Sequence, residues 1–397
     1  MTRISSFPGA AGAFRLTGTG KGHIIAADKE KGVRVMNYDG LSMDQISDGL
    51  TQTAACASAV VYDRQNGLVF VSYMTGLPKR YGESTGKLCL SVFPPSQPGN
   101  IRHRVVDTGV GQSRGLLCTA HYLVGDGRTR MMFTTTRGEL AAYYRDYDFF
   151  SDTVSERVEV LLRMDNGDVR LDNASYRAWL ASRGYDVTDG AEPIINKVTS
   201  YRGELYTAVS IDGTGYPILC RIEDNVLVPF AVCPEATTYE FRYIVNDAGI
   251  HGVFRVPPDD HKTDHAGFTA STDGGKTWQT RIYADGIQSR PDILEYDGKP
   301  MMVYNYKSER SSGNFPPMHN FRNAVKMICD GRVILDLFSK YGIVEHETIS
   351  IRGDLYMAFS NCPQALSVEN GAAWIEDGRP VEQGKEAIQW MKLGCPL

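Results

Sequence analysis

Ser271-Thr272-Asp273-Gly274-Gly275-Lys276-Thr277-Trp278 is the stretch of sequence that decides the fold. It has the form S-x-D-x-G-x-T-W, which is a short polar turn followed by the start of a strand. The side chains of Ser271 and Asp273 can hydrogen-bond to the backbone of the turn, and Gly275 can adopt a positive φ. The indole of Trp278 can pack between neighbouring sheets. The stretch therefore predicts a tight turn that joins two adjacent antiparallel strands.

On both sides of this turn, short β-rich runs recur in sets of four. Gly, Asp or Asn residues bound the runs, and the runs themselves alternate with period two or are continuously apolar, as strands of antiparallel sheets do. Each set predicts one four-stranded sheet. The seven sets cover approximately residues 12–50, 54–110, 114–168, 196–236, 237–286, 288–340 and 341–394.

Two internal repeats support this strand assignment. The run from Val198 to Tyr206 matches the run from Thr348 to Tyr356, and the run from Ile293 to Met301 has the same form. Each consists of a strand, an Arg-Gly or Asp-Gly pair and a second strand. This pattern predicts hairpins closed by two-residue primed turns.

A helical insertion interrupts the strands near residues 172–192. Tyr176, Trp179 and Leu180 have helical spacing, Asp172 or Asn173 can cap the start, and Gly184 can end the helix. We expect this helix at the rim of the sheets. A lid over a substrate site is the alternative.

Composition excludes several classes of protein. The 397 residues carry 42 basic and 47 acidic side chains, a net charge of −5, which argues against nucleic-acid binding. No run of 18 apolar residues occurs, so we expect no membrane insertion. The N-terminal residues show no signal peptide, which leaves a cytoplasmic, virion or processed secreted protein open. The eight cysteines show no metal-ligand spacing and predict buried free thiols.

The S-x-D-x-G-x-T-W stretch resembles the Asp-box, or BNR repeat, of sialidase-like β-propellers. The resemblance implies an all-β fold, and the sets of strands then predict a seven-bladed β-propeller of four-stranded antiparallel blades. The whole chain, residues 1–397, would form this single domain. Six blades with one irregular hairpin, or eight blades, also fit. In the family, the Asp-box lies on the side opposite the active site.

In a propeller the first strand of each blade lines a central funnel. The starts of the first strands and the loops between second and third strands surround one end of this funnel, which we call the mouth. Ionisable residues concentrate at the predicted mouth. The candidate catalytic residues there are His121, His346, Tyr81, Glu240 and His319. The candidate substrate-binding residues are Arg15, Arg242, Arg290, Asp292, Arg80 and Arg322.

Three of these arginines indicate a ligand with a carboxylate. The guanidinium fork of Arg15, Arg242 or Arg290 matches a carboxylate in geometry. The Phe14-Arg15-Leu16 run resembles the Phe-Arg-Ile-Pro motif of sialidases, in which arginines hold the carboxylate of sialic acid. The alternative is that the arginines pair with acids of the chain itself, namely Glu240, Asp292 and Glu345.

The histidine-rich funnel also resembles propeller polysaccharide lyases that cleave uronic-acid glycans. A lyase needs a cation for the carboxylate, a base for the C5 proton and an acid for the leaving oxygen. The resemblance implies Arg290 or Arg242 for the first role. The base would be His121 or His346, and the acid Tyr81 or His319.

We expect no cofactor. The segment from Asp259 to His265 crowds carboxylates and imidazoles between prolines and turn residues, and we interpret it as a solvated loop. A structural Ca²⁺ or Zn²⁺ is the alternative there. Its ligands would come from Asp260, His261, Asp264 and His265.

The sequence therefore predicts a carbohydrate-active enzyme that cleaves an acidic oligo- or polysaccharide containing sialic or uronic acid. Sialidase-like hydrolysis and polysaccharide lysis are both open. The alternative class is a non-catalytic glycan-binding propeller, such as a phage or virion surface protein.

Overall fold

The protein is described from a computed structural model. The structure describes residues 4–8, 15–18, 23–28, 32–38, 43–47, 56–74, 87–97, 99–109, 116–135, 141–187, 193–211, 214–238, 240–256, 264–287, 291–306, 324–338, 342–351, 354–362, 375–376, 379–380 and 387–394.

Strands make up most of the described chain. The strands of the first half are β1 (Ile4–Pro8), β2 (Arg15–Gly18), β3 (His23–Asp28), β4 (Gly32–Tyr38), β5 (Met43–Ser47), β6 (Cys56–Asp63), β7 (Leu68–Met74), β8 (Leu88–Phe93), β9 (Arg102–Val106), β10 (Leu116–Gly125), β11 (Arg128–Thr135), β12 (Ala142–Asp148), β13 (Thr153–Val154), β14 (Val158–Glu159), β15 (Leu161–Met164) and β16 (Gly167–Arg170). One helix, α1 (Asn173–Ala181), follows.

The second half adds twenty more strands. They are β17 (Pro193–Ile195), β18 (Thr199–Tyr201), β19 (Glu204–Ile211), β20 (Thr214–Gly215), β21 (Ile218–Glu223), β22 (Val226–Val232), β23 (Thr237–Thr238), β24 (Arg242–Asn246), β25 (Gly249–Val256), β26 (Asp264–Ser271), β27 (Gln279–Ile287), β28 (Asp292–Tyr296), β29 (Lys299–Tyr306), β30 (Ala324–Cys329), β31 (Arg332–Phe338), β32 (Gly342–Ile351), β33 (Asp354–Cys362), β34 (Ile375–Glu376), β35 (Arg379–Pro380) and β36 (Ala387–Gly394).

These strands pair mostly with their neighbours in sequence, as antiparallel meanders. The orders β2-β3-β4-β5 and β6-β7-β8-β9 form separate sheets, and β10-β11-β12-β13 forms a third with β14 paired to β12. The meanders β24–β27 and β28–β31 are joined into one sheet where Ile287 pairs with Tyr306. The expectation of an all-β protein with repeated antiparallel sheets is confirmed.

The first strands of successive sheets contact one another. Strand β2 contacts β6, β6 contacts β10, and β10 contacts β17. Strands β17 and β18 both pair with β19, and β18 contacts β24. The series then continues: β24 contacts β28, β28 contacts β32, and β32 contacts β2. The first strands therefore surround a common axis, and the contacts close on themselves.

The last sheet is completed by the N-terminal strand. Its order is β32-β33-β36-β1, with Ser6 of β1 opposite Gln389 of β36. Within the set at residues 341–394, the sequence predicts a third strand over 372–376. That assignment is wrong for the part described, because β34 over Ile375–Glu376 pairs only with β35 while β33 pairs directly with β36.

Within the set at residues 114–168, the sequence predicts a fourth strand over 155–162, and the structure differs from this prediction as well. Residues Leu161–Arg170 form the hairpin β15–β16, and β15 pairs in parallel with β22 of the following sheet. From the chain that follows β12, only the short β13 and β14 pair with it. The hairpin therefore extends the sheet of β17, β19, β21 and β22, so the third sheet ends earlier than expected.

The turn Ser271–Trp278 joins β26 to β27, as the sequence predicted. Asp273 Oδ1 accepts from Ser271 Oγ at 2.8 Å and from the Thr277 amide at 2.9 Å. The Gly275 amide donates to Ser271 Oγ at 2.8 Å, and Gly275 has φ +88°. Trp278 is half-buried and packs on the apolar cluster between β19–β22 and β24–β25, so the indole does lie between neighbouring sheets.

Two predicted primed turns are also confirmed. Arg202 and Gly203 have φ of +51° and +82°, and Asp297 and Gly298 have φ of +50° and +70°. Both central residues of each turn thus adopt the left-handed conformation that such hairpins require. The corresponding Arg352-Gly353 turn lies outside the described residues.

Helix α1 packs into the core rather than over an opening. Asp172 caps it, with Oδ1 accepting from the Ser175 amide at 2.8 Å. Tyr176, Trp179 and Leu180 are buried together with side chains of β12, β19 and β21. Tyr176 also donates a hydrogen bond to the Tyr216 carbonyl at 2.6 Å. This packing supports a structural insertion between two sheets.

The apolar cores lie between adjacent sheets. The described cysteines Cys89, Cys118, Cys220, Cys233 and Cys329 are free and buried, which confirms the expectation for those five. Among the described residues, no helix is long and apolar enough to cross a membrane.

Candidate functional site

A buried ion pair joins the starts of two neighbouring first strands. Arg242 is the first residue of β24 and Asp292 is the first residue of β28. Arg242 Nη1 lies 2.6 Å from Asp292 Oδ1, and the two side chains are 7% and 5% exposed. The same carboxylate oxygen accepts from the Ile293 amide at 2.9 Å. The sequence assigned both residues to substrate binding, and the structure brings them into contact.

A third charged residue lies at the matching position of the next first strand. Glu347 of β32 is buried, and β32 contacts β28. Each of the three is paired across its hairpin with a residue of the next strand: Arg242 with Val253, Asp292 with Val303, and Glu347 with Ala358. The same number of residues separates the two members of each pair. The three therefore occupy equivalent positions in their hairpins, on three consecutive first strands. The sequence reasoning named Glu345 and His346 and missed Glu347.

Glu240, a predicted catalytic residue, forms a second ion pair beside the first. It precedes β24 and accepts a hydrogen bond from Arg255 of β25. Both side chains are largely buried. Glu240 thus belongs to the same end of the β24–β27 sheet as Arg242, but its partner is within its own sheet.

The two described candidate histidines are on first strands and buried. His121 lies in β10, and burial lowers its pKa to about 3, an effect that the Ala59 carbonyl only partly offsets. His346 lies in β32, next to Glu347. At neutral pH the imidazole of His121 is therefore uncharged.

Three first strands carry β-bulges in the half that lies towards the mouth. The pairing shifts between Ala57 and Ala59 in β6, between Cys118 and Ala120 in β10, and between Ile343 and His346 in β32. Bulges change which way a side chain faces and are frequent beside functional sites. The bulge in β32 directly precedes His346 and Glu347.

The remaining predicted site residues are only partly described. Arg15 begins β2 and Asp264 begins β26, but nothing is described of their side chains. His265 is half-buried in β26. The other residues lie outside the described part of the chain: Tyr81, His319, Arg290, Arg80, Arg322, Asp260 and His261.

Within the described residues, no group of three His, Cys, Asp or Glu side chains is arranged to hold a metal ion. The proposed Ca²⁺ or Zn²⁺ ligands cannot be assembled from Asp264 and His265 alone. The solvated loop stays the prediction for this segment, with the metal as its alternative.

The Ser271–Trp278 turn and the ion pairs lie at opposite ends of their sheet. Arg242 starts β24, and the β24–β25 hairpin turn follows its other end. In the antiparallel order β24-β25-β26-β27, the β26–β27 turn lies at that same far end. This is the relationship that the sequence predicted between the turn and the mouth.

Comparison with known proteins identifies the fold. No family model matches the sequence, and no curated protein is detectably similar. Among solved structures, Trypanosoma rangeli sialidase is similar with a TM-score of 0.50 at 8% identity, over 98% of this chain and 59% of the sialidase. Its complexes with sialic acid and with the inhibitor DANA each give a TM-score of 0.51 at 8% identity.

These likenesses show a sialidase-like β-propeller fold. The chain matches about three fifths of the length of the sialidase, 59–60% in these structures. At 8% identity the comparison carries the fold alone, so the function has to be argued from the site.

Proposed function

We propose that the protein is a seven-bladed propeller that binds an acidic glycan at its mouth and hydrolyses it as a sialidase-like glycosidase. The count of seven is inferred from the first strands, taking β17 and β18 as one interrupted strand. We propose that all seven blades belong to one domain.

The observation that carries the functional proposal is the buried Arg242–Asp292 ion pair. Charged groups this far from water are costly unless they are paired. A guanidinium has five N–H donors, so Asp292 can hold Arg242 in position without occupying its whole fork. The donors that are left suit the carboxylate of a sialic or uronic acid.

Hydrolysis is favoured over lysis by two acids at equivalent positions of neighbouring first strands. Glycosidases need two carboxyl groups, or a carboxyl group and a tyrosine, on either side of the scissile bond. Asp292 and Glu347 are buried carboxyl groups on neighbouring first strands. A lyase base should titrate near the working pH, and His121, one of the two histidines considered for that role, does not, because burial lowers its pKa to about 3.

The expected reaction can be tested on the purified chain with a sialylated oligosaccharide and with polygalacturonate. We expect free sialic acid or a reducing uronic sugar as the product, with no new absorbance in the near ultraviolet. Glu347→Gln should lose turnover while it retains glycan binding. An unsaturated product would instead identify a lyase, and glycan retention without turnover would identify a binding protein. The absence of both binding and turnover would refute the proposal.

A further inference from the structure

Two arginines lie against the ring of Tyr143, and a third lies on the same face of strand β12, away from the Arg242–Asp292 pair. The guanidinium carbons of Arg157 and Arg170 lie 4.5 and 5.4 Å from the ring centroid. Arg170 also donates to the Tyr143 hydroxyl. Arg145 is two residues along β12 from Tyr143 and so projects from the same face of the strand. We call Arg145, Arg157 and Arg170 the arginine cluster.

Two of these guanidinium groups converge on one point beside Gly109. A Cβ atom built on Gly109 would lie 3.3 Å from Nη1 of Arg157 and 3.6 Å from Nη2 of Arg145. Arg157 Nη1 donates to the Gly109 carbonyl at 2.6 Å, and Arg145 Nη1 donates to the Ser155 carbonyl at 2.5 Å. A backbone carbonyl thus holds one nitrogen of each guanidinium group. The other nitrogens of each group do not contact that carbonyl.

Acidic neighbours neutralise the cluster only in part. Glu156 is fully exposed and lies 4.0 Å from Arg145, while Glu159 lies 3.6 Å from Arg170. Within the described part of the chain, no carboxylate lies at ion-pair distance from Arg157. The Nε of Arg145 is buried and has no hydrogen-bond partner among the described residues. The side chain as a whole is only 11% exposed.

Such an arrangement is costly unless an anion joins it. Like charges that are held close together and partly shielded from water repel one another, and a buried N–H donor without an acceptor loses its hydration. Planar guanidinium forks held by backbone contacts present paired donors to a tetrahedral or planar oxyanion.

We propose that the arginine cluster is an oxyanion-binding site for a sulfate or carboxylate group of an acidic polysaccharide. Gly109 follows β9, which is the last strand of the sheet β6–β9. Tyr143 lies near the start of β12, which is the third strand of the next sheet. In the antiparallel order, both positions are at the end where the first strands begin. The cluster therefore shares the mouth-side end with Arg242 and would hold a glycan chain beyond the sugar at the mouth. The polysaccharide source rests on the proposed function, whereas the oxyanion site does not.

Calorimetric titration with sodium sulfate, at constant ionic strength, tests the site directly. We expect saturable binding by the wild-type chain and about tenfold weaker binding by Arg157→Ala, since a charge-assisted contact is lost. Arg157 is exposed, so its replacement should leave the fold intact. Arg183→Ala is the matched control: Arg183 also lies over an aromatic ring, that of Trp179 at 5.0 Å, but Asp165 already neutralises it at 2.8 Å.

The source of the anion is tested with sulfated and desulfated chondroitin oligosaccharides and with polygalacturonate. Binding of any of these that weakens in Arg157→Ala but not in Arg183→Ala supports the proposal. Sulfate binding without oligosaccharide binding would overturn the polysaccharide as occupant. Equal binding by wild type and Arg157→Ala, or no binding of sulfate, would overturn the site itself. Arg242→Lys separates the two proposals, because it should leave sulfate binding unchanged even if all glycan turnover is lost.

Discussion

Arg242 Nη1 lies 2.6 Å from Asp292 Oδ1, which ties the start of one first strand to the start of the next. Neither residue is near the other in sequence, and only the closure of the first strands around an axis brings them together. The pair is therefore a product of the fold. The proposed recognition of a carboxylate at Arg242 therefore depends on the closure of the first strands.

In the Ser271–Trp278 turn, Gly274 should tolerate an added methyl group far better than Gly275. A Cβ on Gly275 would lie 2.3 Å from the Cβ of Ala231, whereas a Cβ on Gly274 would meet nothing within 4 Å. Both glycines have positive φ, so Gly274→Ala should cost about 1 kcal/mol in backbone strain alone. Gly275→Ala should cost about 2 kcal/mol more through overpacking. Chemical denaturation of the two variants measures the difference, and equal losses would show that Gly275 does not pack on Ala231.

The contribution of Asp273 should depend on pH. Hydrogen bonds from Thr277 and from the turn backbone hold the pKa of this carboxyl well below its usual value. A lowered native pKa means that the ionised form stabilises the fold above the unfolded pKa, and that this stabilisation is lost as the pH falls below it. Asp273→Asn should therefore lower the melting temperature at pH 7 by a few degrees and by less at pH 3. A difference that is independent of pH would contradict this account.

Helix α1 should matter for stability and not for ligand binding. Trp179 is buried between two sheets, so Trp179→Ala should reduce the free energy of unfolding by about 3 kcal/mol. Glycan affinity should be unchanged below the melting temperature. If Trp179→Ala instead weakened binding while leaving stability intact, the helix would be a lid.

The N-terminal strand should stabilise the whole ring. Strand β1 is the outer strand of the last sheet, and removing residues 1–9 would expose the edge of β36. Since an unpaired edge loses hydrogen bonds and invites aggregation, the truncated chain should melt at a lower temperature and self-associate. Removal of residues 1–3, which leaves β1 whole, is the control. Equal melting of the two truncated chains would argue against a closing role for β1.

Local signals in the sequence predicted most of the strands. The Arg202-Gly203 and Asp297-Gly298 turns are hairpins because their residues tolerate positive φ, and a short window of sequence reveals this. Helix α1 was predictable because Asp172 and the spacing of Tyr176 and Trp179 are local as well.

Pairings between distant segments were not predictable in this way. Nothing near β1 specifies that Ser6 will lie opposite Gln389, and the parallel pairing of Leu161 with Val226 has no turn to announce it. Glu347 was missed for a related reason. The bulge between Ile343 and His346 interrupts the simple alternation of the strand, so the buried face cannot be assigned by counting residues.

The most direct test of the central claim compares two equally buried arginines. Arg242 and Arg130 are both 7% exposed and both pair with an aspartate, but Arg130 lies near the β10–β11 hairpin turn at the opposite end of the first strands. Lysine keeps the charge and loses the fork. Arg242→Lys should therefore weaken the binding of an acidic glycan by about tenfold or more, which is about 1.4 kcal/mol, whereas Arg130→Lys should bind it as the wild type does. Equal affinity of the two variants for the glycan would contradict carboxylate recognition at Arg242.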